Sequence, residues 1–275
     1  MSSSKIITTP WAPNQGPDFD VPTFAIGDIH GQATALEALL NHLDTVCADD
    51  KTGEIIFTGD LIDRGPESFR SIGLALAACD RFHVGTILPG NHELMMMLCL
   101  LRKGTREDLD RWFHNGGEAM FDEVDPKGKT TSGQAFDLIK ARLDPRFVEA
   151  IVEGDTHLVR NRVLFVHAGI HPEKNLSAYL DQPRFGPPHA DHWAWMRHPF
   201  LSWEGGWAQH DLDLVVHGHS PATTKFIQDE AEAVFLLDKV DDFHCICLDA
   251  GSMSIPQVVA VEFRGPQHRL HVAQM

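Results

Sequence analysis

Six short segments of the sequence carry Asp, His or Asn just where an apolar, strand-like run stops, and glycine flanks each of them. The segments are Gly27-Asp28-Ile29-His30-Gly31, Gly59-Asp60-Leu61-Ile62-Asp63-Arg64-Gly65, Gly90-Asn91-His92-Glu93, His167-Ala168-Gly169, Gly218-His219-Ser220 and Asp249-Ala250-Gly251. Carboxylate, imidazole and amide groups together form the ligand set for a pair of divalent metals. Two such metals about 3.5–4 Å apart can clamp a phosphoryl group for in-line displacement. The pattern therefore predicts a metal-dependent phosphoester hydrolase.

The first half of the chain alternates strand-like and helix-like patterns. Short apolar runs at residues 24–26, 54–57 and 84–88 are each followed by apolar residues at helical spacing. This β-α-β-α-β-α order predicts a largely parallel sheet with helices on its faces. In such sheets the reactive groups gather at the carboxyl ends of the strands. We therefore expect the first three polar segments to meet at one edge of the sheet.

The second half is predicted to be rich in strands and to join the first half in one domain. Residues 103–155 are mostly polar with helical spacing, which indicates a helical insertion over the site. Two facing sheets with outer helices would unite both halves, because no linker separates them. We expect one domain over residues 22–275, preceded by an N-terminal arm at residues 1–21. Further strands are predicted at residues 163–166, 212–216, 234–237, 245–248 and 258–263.

The composition limits the kinds of molecule that the protein is expected to bind. With 23 basic and 39 acidic residues, the formal net charge is −16, and such a surface repels nucleic acid. The five cysteines include no Cys-x-x-Cys pair, and the N-terminus lacks the features of a signal peptide. The longest apolar stretch, at residues 94–101, is far too short to span a bilayer. We therefore expect a cytoplasmic protein with no nucleic-acid and no membrane partner, whose oligomeric state the sequence does not indicate.

Each candidate residue also has a simpler structural explanation when it is taken alone. Asp28 and His30 fit an Asx-turn with a surface histidine, and Asn91 fits a helix N-cap. His167 and His219 fit structural histidines at the ends of strands. However, ligand-type side chains at six strand ends in one chain are hard to produce by packing alone, and this joint pattern favours the metal centre.

The joint pattern resembles the phosphoprotein phosphatase (Ser/Thr phosphatase-like) branch of the calcineurin-like metallophosphoesterases, from about Phe24 to Gly251. The resemblance implies an α/β fold, a four-layer sandwich of two mixed β-sheets flanked by helices, with a helical cap insertion. It also implies two divalent metal ions, Mn²⁺ first, with Fe or Zn as alternatives. The implied ligands are Asp28 and His30 for the first metal, Asn91, His167 and His219 for the second, and Asp60 as the bridge.

The same resemblance implies the catalytic groups. His92 would be the general acid that protonates the leaving oxygen, with Asp63 as its orienting partner. Arg64 and Arg197 would bind the phosphate oxygens, because a planar guanidinium meets two oxygens at once and stays charged. Asn91 and His92 would also contact the phosphate. A hydroxide held between the two metals would attack phosphorus in line.

Several functions fit this site. The leading hypothesis is a Ser/Thr protein phosphatase-like phosphomonoesterase that acts on a phosphorylated protein or a small phosphoester, because Asp63-Arg64 and Gly90-Asn91-His92-Glu93 are complete. The alternative is a dinucleoside polyphosphate (diadenosine tetraphosphate) hydrolase on the same fold. A phosphodiesterase fits less well, because Gly218-His219-Ser220 lacks the Gly-His-x-His ending of those relatives. A non-catalytic binding module fits least, because no ligand is lost. Asp249, in place of the family's Asp-Thr-Gly segment, is expected to lie behind the ligands at most.

Overall fold

Strands and helices alternate in the first half of the chain, and strands dominate its end. The computed structural model describes residues 4–47, 52–101, 104–186, 189–240 and 244–275. The strands, in chain order, are β1 (Lys5–Thr8), β2 (Ala12–Pro13), β3 (Phe19–Ile26), β4 (Glu54–Phe57), β5 (Val84–Ile87), β6 (His157–Arg160), β7 (Val163–Val166), β8 (Leu214–His217), β9 (Asp238–Lys239), β10 (Cys245–Cys247), β11 (Gln257–Gly265) and β12 (Gln267–Gln274). The α-helices are α1 (Ala33–Val46), α2 (Ser68–Arg81), α3 (Asn91–Leu101), α4 (Arg106–His114), α5 (Glu118–Val124), α6 (Ser132–Arg142), α7 (Pro145–Val152), α8 (Leu176–Leu180) and α9 (Glu230–Leu237). Two short 3₁₀ helices cover Phe200–Ser202 and Ala208–His210.

The strands form two mixed sheets. In the first sheet the order is β1-β12-β11-β3-β4-β5, with β2 paired to β12, and in the second the order is β6-β7-β8-β10-β9. The strands β3, β4 and β5 run parallel, and so do β7, β8 and β10. Their outer neighbours are antiparallel. The parallel β-α-β-α-β start that the sequence predicts is therefore confirmed.

The parallel strands end in register, and this alignment brings the polar segments together. Ile26 at the end of β3 lies opposite Phe57, which in turn lies opposite Ile87 at the end of β5. In the second sheet, Cys247 at the end of β10 lies opposite His217 at the end of β8. Because the carboxyl ends of parallel strands share one edge of a sheet, each polar segment follows at such an edge.

Both faces of the central strands are buried, which explains why they read as unbroken apolar runs. Along β3, Ala25 belongs to a core cluster that contains side chains from both sheets, whereas Phe24 and Ile26 belong to the cluster beneath the helices. Along β4, Ile56 points in the same direction as Ala25. The alternation follows from the two-residue period of a strand. It produces the four-layer sandwich that the family resemblance implies.

The N-terminal residues contribute edge strands to the first sheet. We expected residues 1–21 to form an arm outside the domain, but β1 pairs antiparallel with β12, where Ile6 lies opposite Ala273. Strand β2 pairs with β12 as well, and β3 already begins at Phe19. The described part of this segment therefore extends the sheet of the domain, and residues 1–3 lie outside the described residues.

Residues 234–237, which we predicted as a strand, form the last part of helix α9, and that prediction was wrong. Four apolar residues in a row fit either element. The side chain of Asp229 accepts a hydrogen bond from the backbone N–H of Glu232 at 2.9 Å and caps the helix. Ala233 and Leu237 are then buried four residues apart on one helical face, whereas Phe235 is 79% exposed.

The helices α4 to α7 lie within the predicted helical insertion at residues 103–155, of which residue 103 lies outside the described part of the chain. Trp112 of α4 is fully buried and packs against the rings of Phe121 and Phe136 from α5 and α6. The insertion therefore has an aromatic core of its own. None of the helices in the described ranges combines the length and apolar character that a bilayer-crossing segment requires.

Candidate metal centre

The loops that follow the parallel strands are tied together by hydrogen bonds. The backbone N–H of His30 donates to the carbonyl of Asp60 at 2.9 Å, which joins the loops after β3 and β4. The backbone N–H of His219 donates to a carboxylate oxygen of Asp28 at 3.1 Å, which joins the second sheet to the first. The polar segments of both sheets therefore line one shared site.

Two groups of potential metal ligands share the carboxylate of Asp60. One group also contains His30 and His92, and the other contains His167 and His219; within each group the ligand atoms lie within 4.8 Å of one another. The two oxygens of Asp60 face different groups. Oδ2 lies 3.7 Å from Nε2 of His30, and Oδ1 lies 3.4 Å from Nε2 of His167. One carboxylate is thus positioned between two potential cation sites.

Asp28 and Asn91, which the sequence also predicts as ligands, complete the two groups. Oδ2 of Asp28 lies 3.9 Å from Nε2 of His30. Oδ1 of Asn91 lies 3.0 Å from Nε2 of His167 and 2.9 Å from Nδ1 of His219. The structure therefore brings the six predicted ligands together, and each of them is at most 7% exposed.

The hydrogen bonds of two histidines test whether a cation fits here. Nδ1 of His30 lies 3.0 Å from the carbonyl of Ile62, and Nδ1 of His167 lies 2.9 Å from the carbonyl of Thr58. A carbonyl only accepts, so each ring carries its proton on Nδ1. Burial lowers the pKa of His30 to about 3 and also lowers the pKa of His167, so each ring is neutral and its Nε2 carries a lone pair. Both lone pairs face oxygens of Asp60, an arrangement that a cation between them would satisfy.

The buried carboxyl groups also fit a cation. Asp28, Glu93 and Asp249 are each at most 2% exposed. Burial, together with the charges of Asp249 and Asp60, raises the pKa of Asp28 well above its ordinary value. Burial likewise raises the pKa of Asp249 to about 6 and the pKa of Glu93 to about 7. Crowded buried carboxylates need a positive counter-charge, which a pair of divalent metal ions would provide.

His92 stands beside the ligand groups and is held by a buried hydrogen-bond chain. Its Nδ1 lies 2.7 Å from Oδ2 of Asp63, and the same oxygen accepts a hydrogen bond from Nε1 of Trp112 at 2.8 Å. Its Nε2 lies 3.9 Å from Oδ2 of Asp60 and 3.2 Å from Nη2 of Arg64. Burial opposes the charged ring, but the charges of Asp60 and Asp63 outweigh burial and raise the pKa of His92. Arg64 can only donate, so Nε2 accepts in this arrangement and Nδ1 carries the proton that faces Asp63. The ring is thus oriented with Nε2 as the atom at which a proton can be gained or lost.

The two predicted phosphate-binding arginines are held differently. Arg64 donates from Nε to the carbonyl of Asn115 at 3.1 Å, so its guanidinium is oriented beside His92. Arg197 is exposed. Burial lowers the pKa of His219 well below its ordinary value, and the positive charge of Arg197 acts in the same direction. The Arg64 guanidinium places positive charge directly beside His92.

Two residues that the sequence analysis did not assign to the site take part in it. Trp112 comes from the helical insertion, and its indole N–H reaches Asp63. The carboxylate of Glu93 accepts three backbone N–H groups, from the loops after β4 and β5, at 2.8–2.9 Å. Besides burial, the charge of Asp249 raises the pKa of Asp28, so Asp249 stands beside the ligands rather than apart from them. Glu93 lies within the segment Gly90-Asn91-His92-Glu93, so the sequence could have identified it. No motif or spacing near Trp112 points to the site.

Backbone strain is concentrated at the same residues. His30, Asp60, Asp63, Arg64 and His219 have φ angles between 46° and 70°. This left-handed region is one that residues other than glycine rarely adopt. Such conformations persist where the surrounding structure holds them, and they cluster at functional sites. The loops therefore direct these five side chains into the site at a cost in local stability.

Gly218 permits the loop after β8 to approach Asp28 closely, because a Cβ at this position would lie 1.9 Å from Oδ1 of Asp28. We expect Gly218→Ala to displace that carboxylate and to lower both the metal content and the melting temperature. Gly73→Ala in α2 is the control, since a Cβ there meets nothing within 4 Å. The control is expected to stabilise the helix by about 0.5–1 kcal/mol. Metal analysis and thermal unfolding check both variants, and equal behaviour of the two would contradict the close approach.

The family model for calcineurin-like phosphoesterases matches residues 21–243, which is most of the chain. The chain belongs to the calcineurin-like phosphoesterase family. This match confirms the resemblance drawn from the polar segments. Two groups of buried His and Asp side chains in the described part of the chain could hold metal ions.

Several curated relatives of this chain share one name. The symmetrical bis(5'-nucleosyl)-tetraphosphatase of Janthinobacterium sp. (strain Marseille) is 29% identical over 153 residues, which cover 55% of this chain and 44% of that protein. The protein of the same name from Erwinia tasmaniensis is 29% identical over 154 residues, which cover 49% of this chain and 53% of that protein. The chain thus spans about half the length of the curated relatives it matches.

A likeness to solved structures supports the fold. A cold-active protein tyrosine phosphatase superposes with a TM-score of 0.50 at 16% sequence identity, over 88% of this chain and 75% of that chain. At this level of identity the likeness shows the fold alone, and the two mixed sheets of this phosphoesterase agree with it.

Proposed function

We propose that this phosphoesterase is a two-metal hydrolase whose centre is built around Asp60. The observation that carries the proposal is that each oxygen of Asp60 faces a different ligand group, 3.7 Å from His30 and 3.4 Å from His167. Mn²⁺ is the proposed metal, and Fe or Zn are alternatives that this mixed nitrogen and oxygen ligand set also accepts. When bound, the ions would supply Lewis acidity and a nucleophile at neutral pH. The proposed ligands are Asp28, His30 and Asp60 for one ion and Asp60, Asn91, His167 and His219 for the other.

We propose His92 as the general acid. Its Nε2–H would give a proton to the leaving oxygen while Nδ1 stays bound to Asp63. The second hydrogen bond to Asp63, from Trp112, would hold that carboxylate and therefore the ring in one orientation. Arg64 and Arg197 are proposed to bind the equatorial phosphoryl oxygens, where they would stabilise the charge of the transition state.

The proposed substrate is a dinucleoside polyphosphate that is cleaved symmetrically. The support comes from the curated relatives, which are named symmetrical bis(5'-nucleosyl)-tetraphosphatases. They favour this alternative over the phosphoprotein substrate that the complete Asp63-Arg64 motif led us to place first. In the reaction, water adds to one of the two central phosphorus atoms, and the bridging oxygen leaves with the other half. One dinucleoside tetraphosphate and one water thus give two nucleoside diphosphates.

The products formed from diadenosine tetraphosphate test this proposal. With Mn²⁺ present, the protein is expected to release ADP as its nucleotide product, with a kcat/KM at least about tenfold above that for a phosphoserine peptide assayed in parallel. Chelation with EDTA is expected to stop the reaction, and added Mn²⁺ to restore it. Chromatography of the products distinguishes the outcomes. Release of ATP and AMP would contradict symmetrical cleavage, and a higher kcat/KM for the phosphopeptide would return the phosphoprotein hypothesis to first place.

A further inference from the structure

A cavity of about 380 Å³ lies outside the ligand groups, between α3, α4 and residues 183–186 and 189–195. One wall is aliphatic and comes from Leu94, Met95 and Leu98 of α3. A second wall carries the aromatic rings of Phe185 and Trp195 and the imidazole rings of His189 and His192. The volume is in the range of about 300–1,000 Å³ that is usual for small-molecule sites. None of the residues proposed above as ligands, acid or phosphate binders lines this cavity.

The cavity approaches the ligand groups at Trp195. The ring of Trp195 lies 6.1 Å from the ring of His219, at an angle of 82° between their planes. A group joined to a phosphate at the ligand groups would therefore enter this cavity beside Trp195.

The walls of the cavity are held before any ligand arrives. Arg184 donates from its guanidinium to the carbonyls of Ile151 and Gly154, at 2.6 and 2.5 Å, which anchors the segment that carries Phe185. Arg111 at the rim is paired with Asp108 at 2.8 Å. With both arginines engaged, aliphatic, aromatic and imidazole side chains make up most of the remaining lining, which suits a planar, uncharged ring system.

The geometry points to this cavity as the site that holds one nucleoside end of the substrate, with the base stacked on the aromatic wall. This inference rests on the proposed function, because it assumes a substrate that carries a nucleoside. Base–aromatic stacking does not depend on charge. It would therefore provide affinity for an anionic substrate on a protein whose net charge is −16.

Filling the cavity tests the inference. We expect Leu98→Trp to lower kcat/KM for diadenosine tetraphosphate by at least about tenfold, the effect of one lost base stack, chiefly through KM. Hydrolysis of p-nitrophenyl phosphate, which lacks a nucleoside, should stay within about twofold of the wild-type value. Leu101→Trp is the matched control, since Leu101 belongs to the same helix but is 45% exposed and outside the cavity. It is expected to change neither activity.

A second variant checks that the loss does not come from misfolding of Leu98→Trp. An inhibition assay tests the nucleoside site without requiring that diadenosine tetraphosphate is the substrate. Phe185→Ala, which removes a ring from the second wall, is expected to show the same selective loss as Leu98→Trp. With Mn²⁺ in excess, ADP should inhibit p-nitrophenyl phosphate hydrolysis more strongly than pyrophosphate does, and Leu98→Trp should abolish the difference.

The possible outcomes separate the two proposals. One outcome is that diadenosine tetraphosphate is not hydrolysed, but ADP inhibits more strongly than pyrophosphate and Leu98→Trp abolishes this difference. The nucleoside site is then supported, and the proposed substrate is wrong. If ADP has no advantage over pyrophosphate, or if Leu98→Trp and Phe185→Ala lower both activities equally, the nucleoside site is refuted.

Discussion

Replacing Asp60 with alanine is expected to remove both metal ions and nearly all activity. The two oxygens of this carboxylate face different histidines, at 3.7 and 3.4 Å, so its loss deprives both ligand groups of a shared anion. Without bound metals the site loses several kcal/mol of transition-state stabilisation, and kcat/KM should fall by about 10³-fold or more. Elemental analysis of the purified variant, together with p-nitrophenyl phosphate kinetics, measures both effects.

Asp80→Ala provides the matched control for this experiment. Asp80 is an exposed residue of α2 that pairs with Arg146 at 3.0 Å. Its removal should cost less than about 1 kcal/mol of stability, because surface ion pairs contribute little, and should leave the metal content unchanged. An Asp60→Ala protein that kept two metals and normal turnover would exclude a shared carboxylate.

Replacing His92 with alanine is expected to slow the chemical step while both metals remain bound. A positioned general acid contributes roughly 10²–10⁴-fold, and the loss should be largest where the leaving oxygen is most basic. Turnover of phenyl phosphate should therefore fall much more than turnover of p-nitrophenyl phosphate, whose leaving group needs little protonation. Rates for both esters, with elemental analysis, measure the effect. Since His92 also belongs to a potential ligand group, loss of one metal in this variant would assign it to metal binding instead.

Trp112→Phe tests whether the hydrogen bond from Trp112 to Asp63 orients His92, without removing the acid itself. The change removes the hydrogen bond that Nε1 donates to Asp63 at 2.8 Å and keeps an aromatic ring in the buried cluster. We expect a loss of about 10–100-fold in kcat for phenyl phosphate, which is typical for partners that orient a catalytic group. In the double variant with His92→Ala, the second change should add no further loss, because both act through the same proton. Additive losses would mean that Trp112 acts independently of His92.

Local patterns in the sequence were sufficient for most of the elements that carry the site. The strands that end at Ile26, Phe57 and Ile87 and the helices after them follow from short apolar runs, helical spacing and glycine-flanked turns, all of which depend on neighbouring residues. The same local signals failed at residues 234–237, where an apolar run of four fits either element and a cap from Asp229 favours the helix. They also missed the pairing of β1 with β12, because an edge strand joins a partner at the far end of the chain.

By itself, the sequence determined which side chains could bind metal and that they stand at strand ends, because strand periodicity and turn chemistry are local. Only the tertiary structure decided how these side chains meet. It brings His219 into hydrogen-bond contact with Asp28, 191 residues away in the sequence, and Trp112 into hydrogen-bond contact with Asp63, 49 residues away. It also assigns each Asp60 oxygen to a different histidine and places the aromatic cavity beside the site. Such contacts depend on the packing of two sheets and an inserted helix against one another, and no stretch of neighbouring residues encodes that packing.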